Sequence, residues 1–219
     1  MKLKKIASLM LAGLMAVSML AGCEGKGSSS SEPENPVVPT TGVVAYANDA
    51  VSEDTAKEHN FEGFAASTNL DAILNDLATS TGNFDKAGIT EIFGDVNKVE
   101  LNTKVQGKLN DKLDGLVDDE FDKIPADNVS DKYGYIYTVS GKVDEKEMVG
   151  KVVNKFVDDV LDEVATVVTN NTTDTKYDTA HTAEISVVKV SSSSAPSESA
   201  WVVAIVLTQE VTKVSNTVE

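Results

Sequence analysis

The sequence contains no arginine, one cysteine, one tryptophan and two histidines. Without arginine there is no guanidinium group, so bidentate recognition of phosphate or carboxylate is excluded. A single cysteine excludes an intrachain disulfide. The 19 lysines are outnumbered by 35 acidic residues, for a net charge of −16, and such a surface repels phosphate backbones and anionic headgroups. We therefore expect no nucleic acid partner.

The familiar catalytic and nucleotide-binding motifs are absent as well. The chain has no G-x-G-x-x-G, G-x-x-x-x-G-K-[ST], G-x-S-x-G or H-E-x-x-H sequence, which leaves nucleotide-binding loops, hydrolase elbows and zincin chemistry unsupported. Ser186 and Lys189 match S-x-x-K by letter, but they fall in a predicted strand, and we interpret the match as chance. His59 and His181 lie in polar, turn-like stretches, where we expect surface histidines without a role. The sequence predicts neither a catalytic residue nor a cofactor.

The N-terminus has the organisation of an export signal. Three lysines within the first five residues precede an uncharged run at positions 6–21. That run has 16 residues, short of the roughly 20 that a membrane-spanning helix needs. A basic region, an apolar region and a small-residue cleavage site are the parts of a signal peptide.

The sequence Leu20-Ala21-Gly22-Cys23 resembles the lipobox of bacterial lipoproteins. The resemblance covers only residues 1–23 and implies that a signal peptide, residues 1–22, is removed. Cys23 would then carry a diacylglyceryl thioether, and two or more acyl chains on one residue bind a membrane stably. The resemblance implies an extracytoplasmic protein that is lipid-anchored to the cell membrane, and we expect the surface of a Gram-positive bacterium. Lipidation would leave the domain with no thiol for catalysis or zinc binding.

Composition divides the rest of the chain into two parts. Residues 23–41, which begin with the lipidated cysteine, are rich in Ser, Pro and Gly, as is typical of a flexible tether. The length of residues 42–219 suits one ordinary domain or two small ones, and we predict a single domain. A hydrophobic fraction of 41% over the whole chain is enough for a core.

A strand followed by a long helix is predicted near the middle of this domain. Tyrosines at 133, 135 and 137 alternate with smaller and polar residues, the period of a half-buried strand in which they share one face. At positions 144–169 apolar residues recur every three or four places, which predicts an amphipathic helix. Asp144 and Glu147 resemble a capping box at its start.

Two further strands are predicted after that helix, at residues 183–190 and 201–214. The second is apolar and β-branched at its start, as is typical of an interior strand covered on both faces. Polar loops are predicted at 170–182 and 191–200. The C-terminal part therefore has the order strand, helix, strand, strand.

The first part of the domain is predicted to be mainly helical. Residues 43–47 are interpreted as an edge strand. Helices are predicted at 70–78, at 85–93 and, as a long amphipathic helix, at 101–124. The whole indicates an α+β fold, with an antiparallel sheet packed against long amphipathic helices.

Carboxylates cluster on both long predicted helices. Calcium needs roughly six to eight oxygen ligands from a loop that wraps the ion, and no such loop occurs, so we predict solvated helix faces and no metal site. A carboxylate pair can also serve a glycosidase, but such sites usually add aromatic platforms, and Trp201 is expected in the core. The clustered residues are Asp118, Asp119, Glu120, Asp122, Asp158, Asp159, Asp162 and Glu163.

We expect a non-enzymatic binding or structural module of the cell envelope, with an envelope protein or surface ligand as possible partner. The alternative is a hydrolase that acts on cell-wall or polysaccharide material through a carboxylate pair. A third hypothesis is a small solute-binding lipoprotein. Convergence of the carboxylates and histidines on one cleft would favour the enzyme.

Overall fold

The computed structural model describes residues 42–113, 130–170, 175–192 and 195–214. Within them, six α-helices, one short 3-10 helix and six strands are assigned. They are α1 (Val43–Ala50), α2 (Glu53–Glu58), β1 (Phe61–Ala65), α3 (Thr68–Thr79), α4 (Lys86–Gly94), β2 (Val99–Leu101), α5 (Thr103–Asn110), β3 (Ser130–Ser140), α6 (Glu145–Asp159), the 3-10 helix (Leu161–Glu163), β4 (Val167–Asn170), β5 (Thr175–Ser192) and β6 (Ala195–Lys213).

The strands form one mixed sheet in the order β1-β5-β6-β3-β2, and β4 also pairs with β5. Two short strands share the outer edge of β5: β4 runs antiparallel, with Val167 opposite Asp178, and β1 runs parallel, with Phe61 opposite His181. The remaining pairings are antiparallel. The predicted α+β class is confirmed. The predicted antiparallel sheet is wrong in one pairing, because β1, which follows α2, runs parallel to β5.

Helices cover both faces of the sheet. Alternate residues of β6 point in opposite directions, so Val203 and Ile205 pack against α1 and α6, whereas Val202 and Val206 pack against α3, α4 and α5. Burial of each such side chain contributes about 1.5–3 kcal/mol. This arrangement explains the apolar run at 201–207 and confirms the prediction of an interior strand.

The helix starts follow the capping chemistry in the sequence. Asp144 Oδ1 accepts a hydrogen bond from the Glu147 backbone N–H at 2.8 Å, Ser67 caps α3 and Asp85 caps α4 in the same way. Each cap satisfies a backbone donor that has no partner within the helix. The predicted start at Asp144 is confirmed, whereas α3 begins two residues before its predicted start at residue 70.

One predicted strand is wrong, and one predicted helix is too long. Residues 43–47 form part of helix α1, because Val43 and Ala47, one turn apart, are both buried against the core, and this burial outweighs the strand preference of valine. The predicted helix at 144–169 ends ten residues early, since α6 stops at Asp159. The 3-10 helix follows, and the β-branched residues at 167–169 then belong to β4, which pairs with β5.

Two predicted loops are largely strand. β5 begins at Thr175, inside the predicted loop 170–182, and continues to Ser192. β6 begins at Ala195, so most of the predicted loop 191–200 belongs to the hairpin. The predicted long helix at 101–124 is wrong at its start, where Leu101 ends β2, and it stops early, since α5 covers only Thr103–Asn110 and residues 111–113 are not helical. Its positions 114–124 lie outside the described residues.

The free edge of β1 is closed by a side chain of α1. Asn48 Oδ1 accepts from the Phe64 N–H at 2.7 Å, and Asn48 Nδ2 donates to the Phe64 carbonyl oxygen at 3.0 Å. The carboxamide therefore imitates the peptide group of a neighbouring strand. Gly63 makes this approach possible: its φ is 121°, and a Cβ there would lie 2.7 Å from Asn48 Oδ1.

The aromatic residues pack as predicted. Trp201 is buried and donates from Nε1 to the Val143 carbonyl oxygen at 3.0 Å. Tyr135 contacts Tyr133 in a tilted arrangement and Phe156 edge-to-face, with ring centroids 5.2 and 5.8 Å apart. Burial raises the pKa of Tyr137, helped by the nearby charge of Asp159. Because the ionised phenol is unfavourable in the folded protein, the free energy of unfolding is unaffected below the ordinary tyrosine pKa and falls as the pH rises above it.

Candidate functional site

The two histidines lie together in the interior, so the prediction of surface histidines is wrong. His59 is the C-cap of α2 and His181 lies in β5, opposite Gln209 of β6. His181 is 0% exposed and His59 is 9% exposed. We call His59, His181, Gln209 and the adjacent Asp162 the histidine junction.

Both ring nitrogens of His181 are engaged. Nδ1 lies 2.7 Å from the carbonyl oxygen of His59, and Nε2 lies 3.1 Å from Gln209 Oε1. A neutral imidazole that donates from Nδ1 to the carbonyl accepts at Nε2, which requires the Gln209 amide group to present its NH₂. His181 thus ties the end of α2 to β5 and β6.

Asp162 is the one carboxylate of the clustered set that meets a histidine among the described residues. Its Oδ1 lies 3.2 Å from His59 Nε2. Asp159 instead pairs with Lys155 at 2.7 Å. Because α6 ends before residue 160, Asp162 and Glu163 lie on the 3-10 helix and do not continue its charged face. The other cluster, Asp118, Asp119, Glu120 and Asp122, falls outside the described residues.

The histidine junction has the geometry of a structural cluster. The Thr179 hydroxyl, two residues from His181 on the same strand face, donates to the Ala165 carbonyl oxygen at 2.5 Å. The Thr179 hydroxyl proton is therefore already engaged in a hydrogen bond within the fold. Within the described residues, no three His, Asp or Glu side chains come close enough to hold a metal ion.

The S-x-x-K match is split between the two faces of the sheet. Ser186 donates to Asp71 Oδ1 of α3 at 2.5 Å. Lys189 donates to the Gly141 carbonyl oxygen at 2.8 Å and lies over the ring of Trp201. The two side chains point in opposite directions, as residues three apart on a strand must, so they do not form a catalytic pair.

A groove of about 630 Å³ opens beside the histidine junction. It is lined by Glu53, Ala56 and Lys57 of α2, by residues 60–62, by residues 178–180 and by Thr212. Its volume falls in the range of about 300–1,000 Å³ that is usual for small-molecule sites. We call it the acidic groove, because Glu53, Glu62 and Asp178 supply three carboxylates from three different elements.

The histidine junction supports one wall of the acidic groove. Asn60, with a φ of 47°, is held in a left-handed conformation. Its Nδ2 donates to the Thr179 carbonyl oxygen at 3.1 Å, and its own carbonyl oxygen accepts from the His181 N–H at 2.9 Å. The connection between α2 and β1 is thereby fixed against β5. Sequence reasoning missed this groove, because its lining residues are distant in the chain and line one groove only after β1 pairs in parallel with β5.

A second, smaller cavity of about 200 Å³ lies beside α4 and β2. Three carboxylates lie at its margin and each has a partner. Asp85 Oδ1 accepts from the Gly88 N–H at 2.8 Å. Lys98 Nζ lies 2.7 Å from Glu91 and 2.9 Å from Glu100. These hydrogen bonds raise the pKa of Lys98. The smaller cavity therefore offers a ligand less unpaired charge than the acidic groove.

No protein-family model, curated protein or solved structure matches this chain. Among the described residues, no helix has both the length and the hydropathy needed to span a bilayer.

Proposed function

We propose that the chain is an extracytoplasmic lipoprotein, anchored through Cys23 to the membrane of a bacterial cell and followed by a tether and a single folded domain. The support is the N-terminal sequence, in which three lysines, an apolar run and Leu20-Ala21-Gly22-Cys23 occur in the order of a lipoprotein signal.

Metabolic labelling with a fatty acid in a bacterial host tests the anchor. We expect the wild-type chain and a tether control, Ser29→Ala, to incorporate label, and Cys23→Ala to incorporate none. Labelling of all three chains, or of none, would contradict the anchor.

We further propose that the folded domain is a non-enzymatic binding module that uses the acidic groove. The observation that carries this proposal is the groove itself: an open cavity of small-molecule size whose walls come from α2, β1, β5 and β6. The alternative hydrolase has less support, because Asp159 is paired with Lys155 and the carboxylate–histidine pair Asp162–His59 does not line the groove. Of the binding hypotheses, the groove volume favours a small solute.

A thermal-shift screen of small solutes tests the groove as the binding site. Ala180→Trp would fill the groove, and Ala66→Trp, at an exposed position before α3, is the matched control. We expect solutes that raise the melting temperature of the wild type and the control but not of Ala180→Trp. Hits that persist in Ala180→Trp would contradict the groove, and chemical conversion of a hit, followed by mass spectrometry, would contradict a non-enzymatic role.

A further inference from the structure

The charges of the acidic groove are spread around it. Glu53 lies on α2, Glu62 on β1 and Asp178 on β5, so three different elements each contribute one carboxylate. Within the described residues, Glu62 and Asp178 are exposed and have neither a hydrogen bond nor an ion pair from a side chain. Glu210 follows on the neighbouring strand, opposite Ala180, and adds to the negative potential. The groove therefore favours a ligand with more than one positive charge.

The single lysine of the groove does little to neutralise it. Lys57 lies 3.4 Å from Glu53, and the two side chains are 73% and 93% exposed. Surface pairs of this kind contribute at most about 1 kcal/mol. A positively charged group of a ligand can replace Lys57 as the partner of Glu53 with little loss of free energy.

The surface between the carboxylates is largely apolar. Ala56, Phe61 and Ala180 line it, and Thr212 adds a hydroxyl. A hard metal ion needs oxygen ligands gathered around one point, which this surface does not supply. A flexible aliphatic chain satisfies both features, because its methylene groups cover the apolar surface and its ammonium groups each donate up to three hydrogen bonds.

We propose that the acidic groove binds a linear aliphatic polyamine, a chain of methylene groups with two or more ammonium groups. The proposal rests on the binding-module proposal and names its ligand class. A free amine is favoured over a lysine-rich protein, because the groove has the volume of a small-molecule site.

Calorimetric titration of the mature lipidated chain in detergent with spermidine tests the proposal. We expect saturable binding at one site and at least about tenfold weaker binding to the double variant Glu62→Gln, Asp178→Asn, which corresponds to 1.4 kcal/mol or more. The matched control is Asp111→Asn, Asp158→Asn, which removes two carboxylates from positions that do not line the groove. Circular dichroism and melting curves check that all variants are folded.

Three results would overturn the proposal. Equal weakening in the double variant and the matched control would mean a diffuse attraction to an acidic protein. Tighter binding of tri-lysine than of spermidine would assign the groove to a peptide. If spermidine does not bind, while other solutes stabilise the wild type but not Ala180→Trp, the polyamine proposal is refuted and the binding module stands. If no solute distinguishes Ala180→Trp from Ala66→Trp, the binding module itself fails.

Discussion

The histidine junction and the acidic groove are neighbours with opposite character. His181 and Asp178 lie three residues apart on β5, and Asn60 contributes to both regions. In the junction, both ring nitrogens of His181 are bonded and the side chain is buried. In the groove, exposed carboxylates surround an apolar surface. The comparison indicates that polar residues of the junction stabilise the fold, whereas those of the groove are available to a ligand.

The largest effect is expected at the centre of the junction. His181→Ala removes two hydrogen bonds, leaves Gln209 and the His59 carbonyl with one partner fewer, and opens a cavity, so we expect the free energy of unfolding to fall by about 3 kcal/mol. Urea denaturation measures this. Thr182→Ala, at the next position of β5 on the other face, is the control, and we expect a change below about 0.5 kcal/mol. A small loss for His181→Ala would refute the structural role of the junction.

A smaller effect is expected on the strand that carries Glu62. Gly63→Ala would place a Cβ 2.7 Å from Asn48 Oδ1 at a residue with a φ of 121°, and we expect a loss of about 1–3 kcal/mol. Gly107→Ala is the matched control, because a Cβ there meets nothing within 4 Å and α5 should gain about 0.5–1 kcal/mol. Thermal unfolding of the two variants should move in opposite directions; a neutral Gly63→Ala would mean that β1 adapts.

The pair at the margin of the junction should contribute less. Asp162 is 53% exposed on its side chain, so its interaction with His59 should be worth less than about 1 kcal/mol. A double-mutant cycle with His59→Gln and Asp162→Asn measures the interaction directly. A coupling energy as large as the loss in His181→Ala would extend the structural core to Asp162.

The smallest effect is expected in the groove. Glu62→Gln combined with Asp178→Asn should change the free energy of unfolding by less than about 0.5 kcal/mol, since both side chains are exposed and substitutions of this kind usually have small effects. Urea denaturation of the double variant beside the wild type measures the difference. Marked destabilisation would show that these carboxylates serve the fold, and would remove the contrast between the two regions.

The helices with strong local signals were predictable, and those shaped by tertiary contacts were not. Asp144 and Glu147 predicted a helix start, and Asp144 caps α6 in the structure. Val43 and Val44 favour a strand by propensity, yet α1 forms because Val43 and Ala47 fit against the core. At this segment the burial of apolar side chains outweighs the intrinsic strand preference of valine.

The candidate site depended on pairings that no local pattern specifies. His59 and His181 are 122 residues apart, and each lies in a polar stretch that is typical of a loop. Thr179 and His181 are buried polar residues in β5 because Ala165, His59 and Gln209 supply their hydrogen-bond partners. Tyr177, Thr179 and His181 do alternate with exposed or partly exposed positions, a strand period that polar composition concealed.

The carboxamide of Asn48 has a consequence for how copies of this protein behave when they are crowded together. An open strand edge is a template on which another chain can add a strand, and repeated addition produces polymers. At Phe64, however, both the N–H and the carbonyl oxygen are already occupied by Asn48. One side chain thus ends the hydrogen-bond ladder at this edge and keeps β1 from serving as a seed for self-assembly.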